Sequence, residues 1–349
     1  MKKASILVAI LMVVALLVTG CASPAPAPAA ADPAAAASAP AALPGEGETY
    51  VVIGSLFQLE FFDALKAGVC DAANSIGAKW YYAGPQEFVP DQISQAIDQA
   101  VANKVTGIVL HGQSPETAAA IDNAIAAGVP VIIVNTDIPS NRLSFLGCNP
   151  YQAGYDMGEQ MGKLLAGKTG TVLISTAISA GQPSALENLR GAKEALANYT
   201  GVKVVEVDDT ADANVAATNI GAALQANADV VGIIGQQAYT AVGACTAVRE
   251  AGLTGKVIVI GRDRDTATLE LIENGELAAS YAQNSYVEGF IALQWLHDYV
   301  NGDLKVIGDY IGGGVNPLPK TVDSGSIVIS KDNAAQFKEK YVWEVTAGN

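Results

Sequence analysis

Val131-Ile132-Ile133-Val134-Asn135-Thr136-Asp137 sets four β-branched apolar residues against three polar ones. A short apolar run without polar alternation reads as a strand buried on both faces, and such strands belong to parallel sheets covered by helices on each side. Upstream stand a second such run, Gly107-Ile108-Val109-Leu110, and a helical period over Pro115–Ala127 that Gly128 closes. The unit recurs. Gly232-Ile233-Ile234, a helix ending at Ala251-Gly252, and then Val257-Ile258-Val259-Ile260-Gly261-Arg262-Asp263 repeat its order. The glycines that open the strand and close the helix lie 21 residues apart in the first copy and 20 in the second. Two copies of one α/β unit set equivalent strand ends on opposite walls of a cleft, and in open parallel sheets ligands bind beyond the carboxyl ends of the strands.

Outward from these units the same alternation continues. Tyr50–Gly54 reads as a strand, and Phe61, Leu65, Val69, Ala72 and Ile76 recur at helical spacing. Lys79–Tyr82 (strand) and Asp91–Ala102 (helix) complete the first half. After a helix over Tyr151–Ala166, strands at Thr171–Ser175, Val202–Val207, Val230–Ile234 and Val257–Ile260 alternate with helices at Ala185–Asn198, Asn214–Ala226, Tyr239–Glu250 and Ala267–Asn274. A strand-like Leu277–Gln283, a helix over Glu288–Val300 and a terminal segment through Gly312–Gly314 follow. The pattern predicts an α/β fold of two doubly wound parallel-sheet lobes joined by a multi-strand hinge. Residues 49–148 plus about 285–312 are expected to form the first lobe, and 149–284 plus about 313–349 the second. Crossings are expected near Gly147–Pro150, Gln283–Ser285 and Gly312–Asn316.

The 349 residues carry 20 Lys+Arg against 35 Asp+Glu, a net charge of −15 that excludes the clustered cations a nucleic-acid binder needs. With 50% hydrophobic residues the chain can build two cores. Lys2 and Lys3 precede an apolar run, Ile6–Val18, too short to span a bilayer, so residues 1–20 read as an export signal. It ends in Leu17-Val18-Thr19-Gly20-Cys21, which resembles the lipobox of bacterial lipoproteins, implying that Cys21 becomes the lipid-modified first residue. An ordinary signal peptide with an incidental cysteine is the alternative. Residues 21–48, rich in Ala, Pro and Ser, are expected to form a disordered tether. Cys70, Cys148 and Cys245 lack Cys-x-x-Cys spacing and read as buried free thiols.

From Tyr50 to about Lys340 the chain resembles a type I periplasmic sugar-binding protein of the ribose-binding kind, serving an ABC importer. The matching stretches are Phe61-Phe62, Asn135-Thr136-Asp137-Ile138-Pro139, Gly147-Cys148-Asn149, Gly261-Arg262-Asp263, and Gly275-Glu276-Leu277-Ala278-Ala279 followed by Ala282-Gln283. The resemblance implies a small neutral sugar or polyol as ligand, an ABC permease with its ATPase as partner, and an extracytoplasmic location, with membrane contact only through the Cys21 anchor. Sugar hydroxyls donate and accept, which suits Asp, Asn, Gln and Arg, while the C–H face of a sugar packs on an aromatic ring. Phe61 and Phe62 open a helix at the cleft, where helical spacing allows one to be core and the other a ligand contact. Asp263 is expected to bind hydroxyls, with Asp265 better placed to cap the following helix. Gln283 matches the family's hinge-adjacent glutamine. Asn135 stands where the ribose binder has an aspartate; Asp137 either supplies the missing carboxylate or caps the turn before Pro139. Gln237 replaces the family's asparagine, and Asn188 falls where the family has an arginine, with Arg190 two residues on and turned away by about 200°. Gln58 and Glu60 stand in a segment that departs from the family, Glu60 as an acceptor or a plain first-turn charge. His111, at a strand end, is a ligand contact or a structural histidine.

No His-Glu-x-x-His, Gly-x-Ser-x-Gly or phosphate-loop pattern occurs, and the Gly312–Gly314 triplet follows the helices instead of opening one. No catalysis, cofactor or metal is expected. The leading reading is a lipid-tethered receptor that hands a monosaccharide or polyol to a permease by hinge closure. A sensor feeding a membrane kinase or chemoreceptor and an exported sugar-acting enzyme are the alternatives.

Overall fold

The computed structural model describes residues 42–347 apart from 88, 180, 182, 211, 305 and 306. The export signal, Cys21 and most of the expected tether therefore lie outside the described residues. Residues 42–48, expected to belong to the tether, are among those described. Gly45 is buried and donates its N–H to Ile76 O (2.8 Å), and Glu48 O accepts from Lys79 N (2.9 Å), so this turn packs on the first helix–strand connection.

In chain order the first lobe supplies β1 (Thr49–Ile53), α1 (Asp63–Ile76), β2 (Lys79–Ala83), α2 (Pro90–Ala102), β3 (Gly107–His111), α3 (Ala118–Ala126), β4 (Val131–Val134) and β5 (Ser144–Gly147). The second supplies α4 (Pro150–Leu165), β6 (Gly170–Thr176), α5 (Pro183–Leu196), β7 (Val202–Asp208), α6 (Ala213–Ala226), β8 (Val230–Gly235), α7 (Ala238–Glu250), β9 (Ile258–Arg262), α8 (Thr266–Glu273) and β10 (Ala279–Gln283). The chain then returns through α9 (Ser285–Asn301) and β11 (Thr321–Asp323) and crosses again to β12 (Ser326–Ser330). The first sheet runs β11-β5-β4-β3-β1-β2 and the second β12-β10-β9-β8-β6-β7, with only β12 antiparallel to its neighbour.

Both faces of each sheet are covered, as the apolar strands require. Val51, Ile53, Ile108 and Leu110 pack on Ile93, Ile97 and Ile121 of α2 and α3, while Tyr50, Val52, Val109 and Ile132 pack on Leu65 and Val69 of α1 and Leu293 and Leu296 of α9. In the second sheet Leu173, Ile233 and Val259 meet Ile220, Val248 and Ile272 of α6 to α8. Val172, Ile174 and Ile234 meet Met157, Met161 and Leu189 of α4 and α5. Helices α4 and α5 touch backbone to backbone: a Cβ at Gly154 would lie 1.9 Å from Asn188 O, so only glycine lets α5 sit close enough to place Asn188.

The chain passes from β5 to α4 across Cys148–Asn149 and from β10 to α9 at Asn284, and a third crossing was expected at Gly312–Asn316. The third is corrected: it lies at Asp323–Ser326, not at Gly312–Asn316, because Val322 pairs with Leu146 in the first sheet before Ile329 pairs with Ser280 in the second. The assignment of about 313–349 to the second lobe is corrected with it. The tail also returns to the first lobe, where Thr346 N donates to Trp80 O (3.0 Å). A short edge strand carries too little periodicity to be read from sequence.

Candidate ligand-binding cleft

On the first wall, β1 leads through a loop into a single 3-10 turn, Glu60–Phe62, that opens α1. Phe62 is 1% exposed and belongs to the core, whereas Phe61 stays half-buried, so the pair divides as core and cleft. Both rings stand nearly perpendicular to His111, with centroids 4.8 Å (Phe62) and 5.8 Å (Phe61) away. Burial drives the His111 imidazole down to about 4, against a smaller opposing hydrogen bond that the ring donates to Asn135, so the ring is neutral at physiological pH. Its Nδ1 has no hydrogen-bond partner among the described residues. Asn135 follows β4 in the left-handed region (φ +73°), which asparagine enters more readily than most residues. Its amide donates to Gln283 Oε1, and its Oδ1 accepts from Thr136 Oγ1 (3.0 Å). His111, Asn135 and Gln283 thus form one polar line from the wall to the hinge.

On the second wall Asp263 repeats the geometry of Asn135. It follows β9 in the same left-handed conformation (φ +69°). Each residue's N–H donates to the adjoining strand, Asn135 to Leu146 O and Asp263 to Tyr281 O (both 3.0 Å). Asp263 is therefore the counterpart of Asn135, although the sequence repeat set it against Asp137. The residue as a whole is half-buried, yet its carboxyl lies deep enough that burial pushes its pKa up, with the Arg262 charge opposing and Asp265 reinforcing the rise. Asn188, 3% exposed, accepts from Gln236 Nε2 (2.7 Å). The Oε1 atoms of Gln236 and Gln237 and Thr176 Oγ1 have no partner among the described residues, and the Tyr239 hydroxyl lies beside Thr240. Asp209, fully buried after β7, accepts from Thr240 Oγ1 (2.7 Å) and Ser175 Oγ (3.3 Å).

Thr176, Asp209, Gln236 and Tyr239 were not singled out in the sequence. Asp209 follows a strand that mixes apolar and charged residues and ends in Asp208, so no apolar run singled it out, whereas Gln236 adjoins Gln237 at another strand end. Three expected contacts stand elsewhere. Asp137 pairs with the Arg142 guanidinium, which holds the turn around Pro139 and commits the carboxylate. Arg190 is exposed, lies 4.2 Å over the Tyr151 ring and pairs with Glu187 and Glu194, because its helical position turns it outward from Asn188. Gln58 is exposed in the loop before the 3-10 turn. Glu60, also exposed, accepts from Thr266 Oγ1 of α8 (3.3 Å), a contact from lobe to lobe. His297, in α9, is buried against Glu48 (2.8 Å). Cys70, Cys148 and Cys245 are buried free thiols. A hollow of about 400 Å³ lined by Leu186, Arg190, Lys193 and Glu206 lies against α5, and its cations are already paired with carboxylates.

A buried polar atom left unpaired is costly, so a row of them at strand ends points to a polar ligand as the missing partner. Such a ligand needs hydroxyls, since the walls offer amides, carboxylates, a phenol and a neutral imidazole.

The periplasmic binding protein domain matches residues 50–304. The chain is 25% identical over 262 residues to the D-allose-binding periplasmic protein of Escherichia coli, covering 71% of this chain and 83% of that one. It is 22% identical over 298 residues to the xylose/arabinose-binding protein XylF of Sulfolobus acidocaldarius, covering 79% and 69%. Among solved structures, the arabinose-binding protein AraP of Geobacillus stearothermophilus superposes with a TM-score of 0.78 at 29% identity, covering 84% of this chain and 99% of that one. A sugar-binding protein of a Bacillus halodurans sugar ABC transporter gives 0.77 at 27%, covering 83% and 100%. With a paired-lobe fold, a cleft at facing strand ends and a match over most of its length, the chain belongs to the periplasmic binding proteins of the ribose-binding type.

Proposed function

We propose that this protein captures a monosaccharide or related polyol between its lobes and delivers it to an ABC import permease by hinge closure. The observation that carries the reading is the set of buried, unpartnered polar atoms at strand ends on both walls: His111 Nδ1 on the first, Gln236 Oε1, Gln237 Oε1 and Thr176 Oγ1 on the second. Phe61, His111, Asn135 and Gln283 hold the ligand from one side, and Asn188, Gln236, Gln237, Tyr239 and Asp263 from the other. The Phe61 ring takes the sugar's C–H surface, and Asp263 accepts from its hydroxyls. Contact with both lobes is what favours closure, because a ligand touching one lobe alone has no preference between open and closed states.

The names of the relatives support a pentose or hexose. Their roles support transport over turnover, so the sugar is released unchanged. No helix among the described residues is long and apolar enough to cross a membrane. The family match and the lipobox-like Leu17–Cys21 stretch support a protein outside the cytoplasmic membrane, held there by a lipid on Cys21. A thermal-shift screen over D-xylose, L-arabinose, D-arabinose, D-allose, D-glucose, ribitol and ATP tests it. At least one neutral sugar or polyol should raise Tm in a dose-dependent way and ATP should not. A response to ATP alone would overturn the reading.

A further inference from the structure

Asp263 stands between two arginines, Arg262 and Arg264, and a neighbouring guanidinium that folded back onto its carboxylate would take the acceptor lone pairs a ligand needs. Arg264 is turned elsewhere. Its Nη1 donates to Tyr341 Oη (2.9 Å), and its guanidinium lies 4.6 Å from the centre of the Tyr341 ring and 5.7 Å from that of Phe337. Both aromatic residues belong to the C-terminal tail, beyond the segment that matches the family.

The tail is fixed independently of the Asp263 loop. Tyr341 stacks on Tyr286 of α9 (6.1 Å between centroids, 17° between planes), and Tyr286 in turn donates to Asp71 of α1 (2.6 Å). Two residues on, Trp343 meets Trp80 edge to face (6.3 Å) and covers the buried Lys66 ammonium at 4.5 Å. Trp80 N donates to Thr346 Oγ1 (3.0 Å), closing the tail onto the edge of the first sheet. Tyr341 is thus held by the first lobe while it holds Arg264 of the second.

We propose that the C-terminal tail is a positioning element of the ligand site: Tyr341 and Phe337 keep the Arg264 guanidinium off the Asp263 carboxylate, leaving that carboxylate free to accept from ligand hydroxyls. Arg264 and Tyr341 are positioning residues and touch no ligand. The inference rests on Asp263 being a ligand contact, and its test has one arm that needs no ligand.

In that arm the Asp263 carboxyl is titrated by carbon NMR in four proteins: wild type, Tyr341→Ala, Arg264→Gln and the double variant. Release of Arg264 should lower the Asp263 midpoint by about 1–3 pH units in Tyr341→Ala, the range for a carboxylate gaining an arginine partner. The double variant should return to the wild-type value, because the arginine that would pair is gone. Tyr341→Leu replaces the alanine variant if that one does not fold, and Tyr341→Phe, which keeps the ring under Arg264, should stay near wild type. An unchanged midpoint in Tyr341→Ala, or a fall that persists in the double variant, would overturn the inference. In the second arm D-xylose, L-arabinose and D-allose are titrated calorimetrically into the same proteins and into Asp263→Ala. Whichever sugar binds wild type should bind Tyr341→Ala roughly tenfold more weakly and regain most of that loss in the double variant. Full affinity in Asp263→Ala would remove Asp263 from the site and sink the cleft assignment itself. Loss in Asp263→Ala without rescue in the double variant sinks only the role of the tail.

Discussion

Asp263 and Asn135 hold equivalent places on opposite walls, and each occupies a left-handed backbone conformation that most residues avoid. Aspartate and asparagine enter that region at modest cost, and it lifts the side chain over the end of its strand. Hydrogen bonds to a charged group are worth about 1.5–3 kcal/mol, so Asp263→Ala should weaken sugar affinity by roughly that amount by titration calorimetry. Asp137→Ala should leave affinity unchanged, because its carboxylate serves Arg142, and should act only on stability. An equal loss in both variants would show that the walls are wrongly drawn. This contrast bounds what the residues alone could tell. Asp263 was singled out by its position after an apolar strand, Gln283 only by the resemblance, and helical spacing allowed Phe61 and Phe62 to divide without saying which is core. The pairing of Asn135 with Asp263 was not, because only backbone torsions align two turns whose sequences are offset by two residues. Arg190 was chemically attractive, and the helical period alone already pointed it away.

At the scale of elements, α9 carries the most informative group outside the cleft. Glu288 is 1% exposed, accepts from Ser324 Oγ at the third crossing (2.6 Å) and leaves Oε2 without a partner among the described residues. Burial raises its pKa to about 7, with Ser324 and the Asn135 backbone opposing the rise. In the unfolded chain the group titrates near 4.5, so between about 4.5 and 7 the folded state binds more protons than the unfolded one. The stability linked to Glu288 is therefore present at low pH and lost as pH rises through about 7. Glu288→Gln cannot ionise. Denaturant melts should show it gaining on wild type, from pH 4 to pH 8, by on the order of 2–3 kcal/mol. A constant difference across that range would mean that the carboxyl is not held neutral. Elements differ in how far the sequence announces them. Fully apolar runs such as Val131–Val134 announce themselves. Ser144–Gly147 has two apolar residues and Thr321–Asp323 one, so β5 and β11 become strands only by pairing with partners already in place.

Across the whole molecule, two similar lobes are joined by three crossings, and the tail spans both. Contacts already run between the lobes, from Asn135 to Gln283, from Thr266 to Glu60 and from Asn149 N to Asp323 (3.0 Å). In the proposed mechanism a ligand that bridges the walls stabilises the closed arrangement alone, and closure then presents a surface for a permease to recognise. The lobe architecture was legible because a repeated α/β unit leaves a long-range pattern, and the family through the resemblance of short stretches such as Asn135–Pro139 and Gly261–Asp263. The path of the last forty residues was not, since its anchors are single aromatic contacts, Tyr341 on Tyr286 and Trp343 on Trp80, that leave no period in the sequence. The central claim is that one small hydroxyl-rich molecule is gripped from both sides at once. A crystal structure of the protein grown with the sugar that most raises its Tm tests this most directly. It should place one sugar with hydroxyls within hydrogen-bond reach of Asp263 and of Asn135 or His111, and with a C–H face on Phe61. A sugar seated against one lobe only, or bound away from both strand-end walls, would contradict the account.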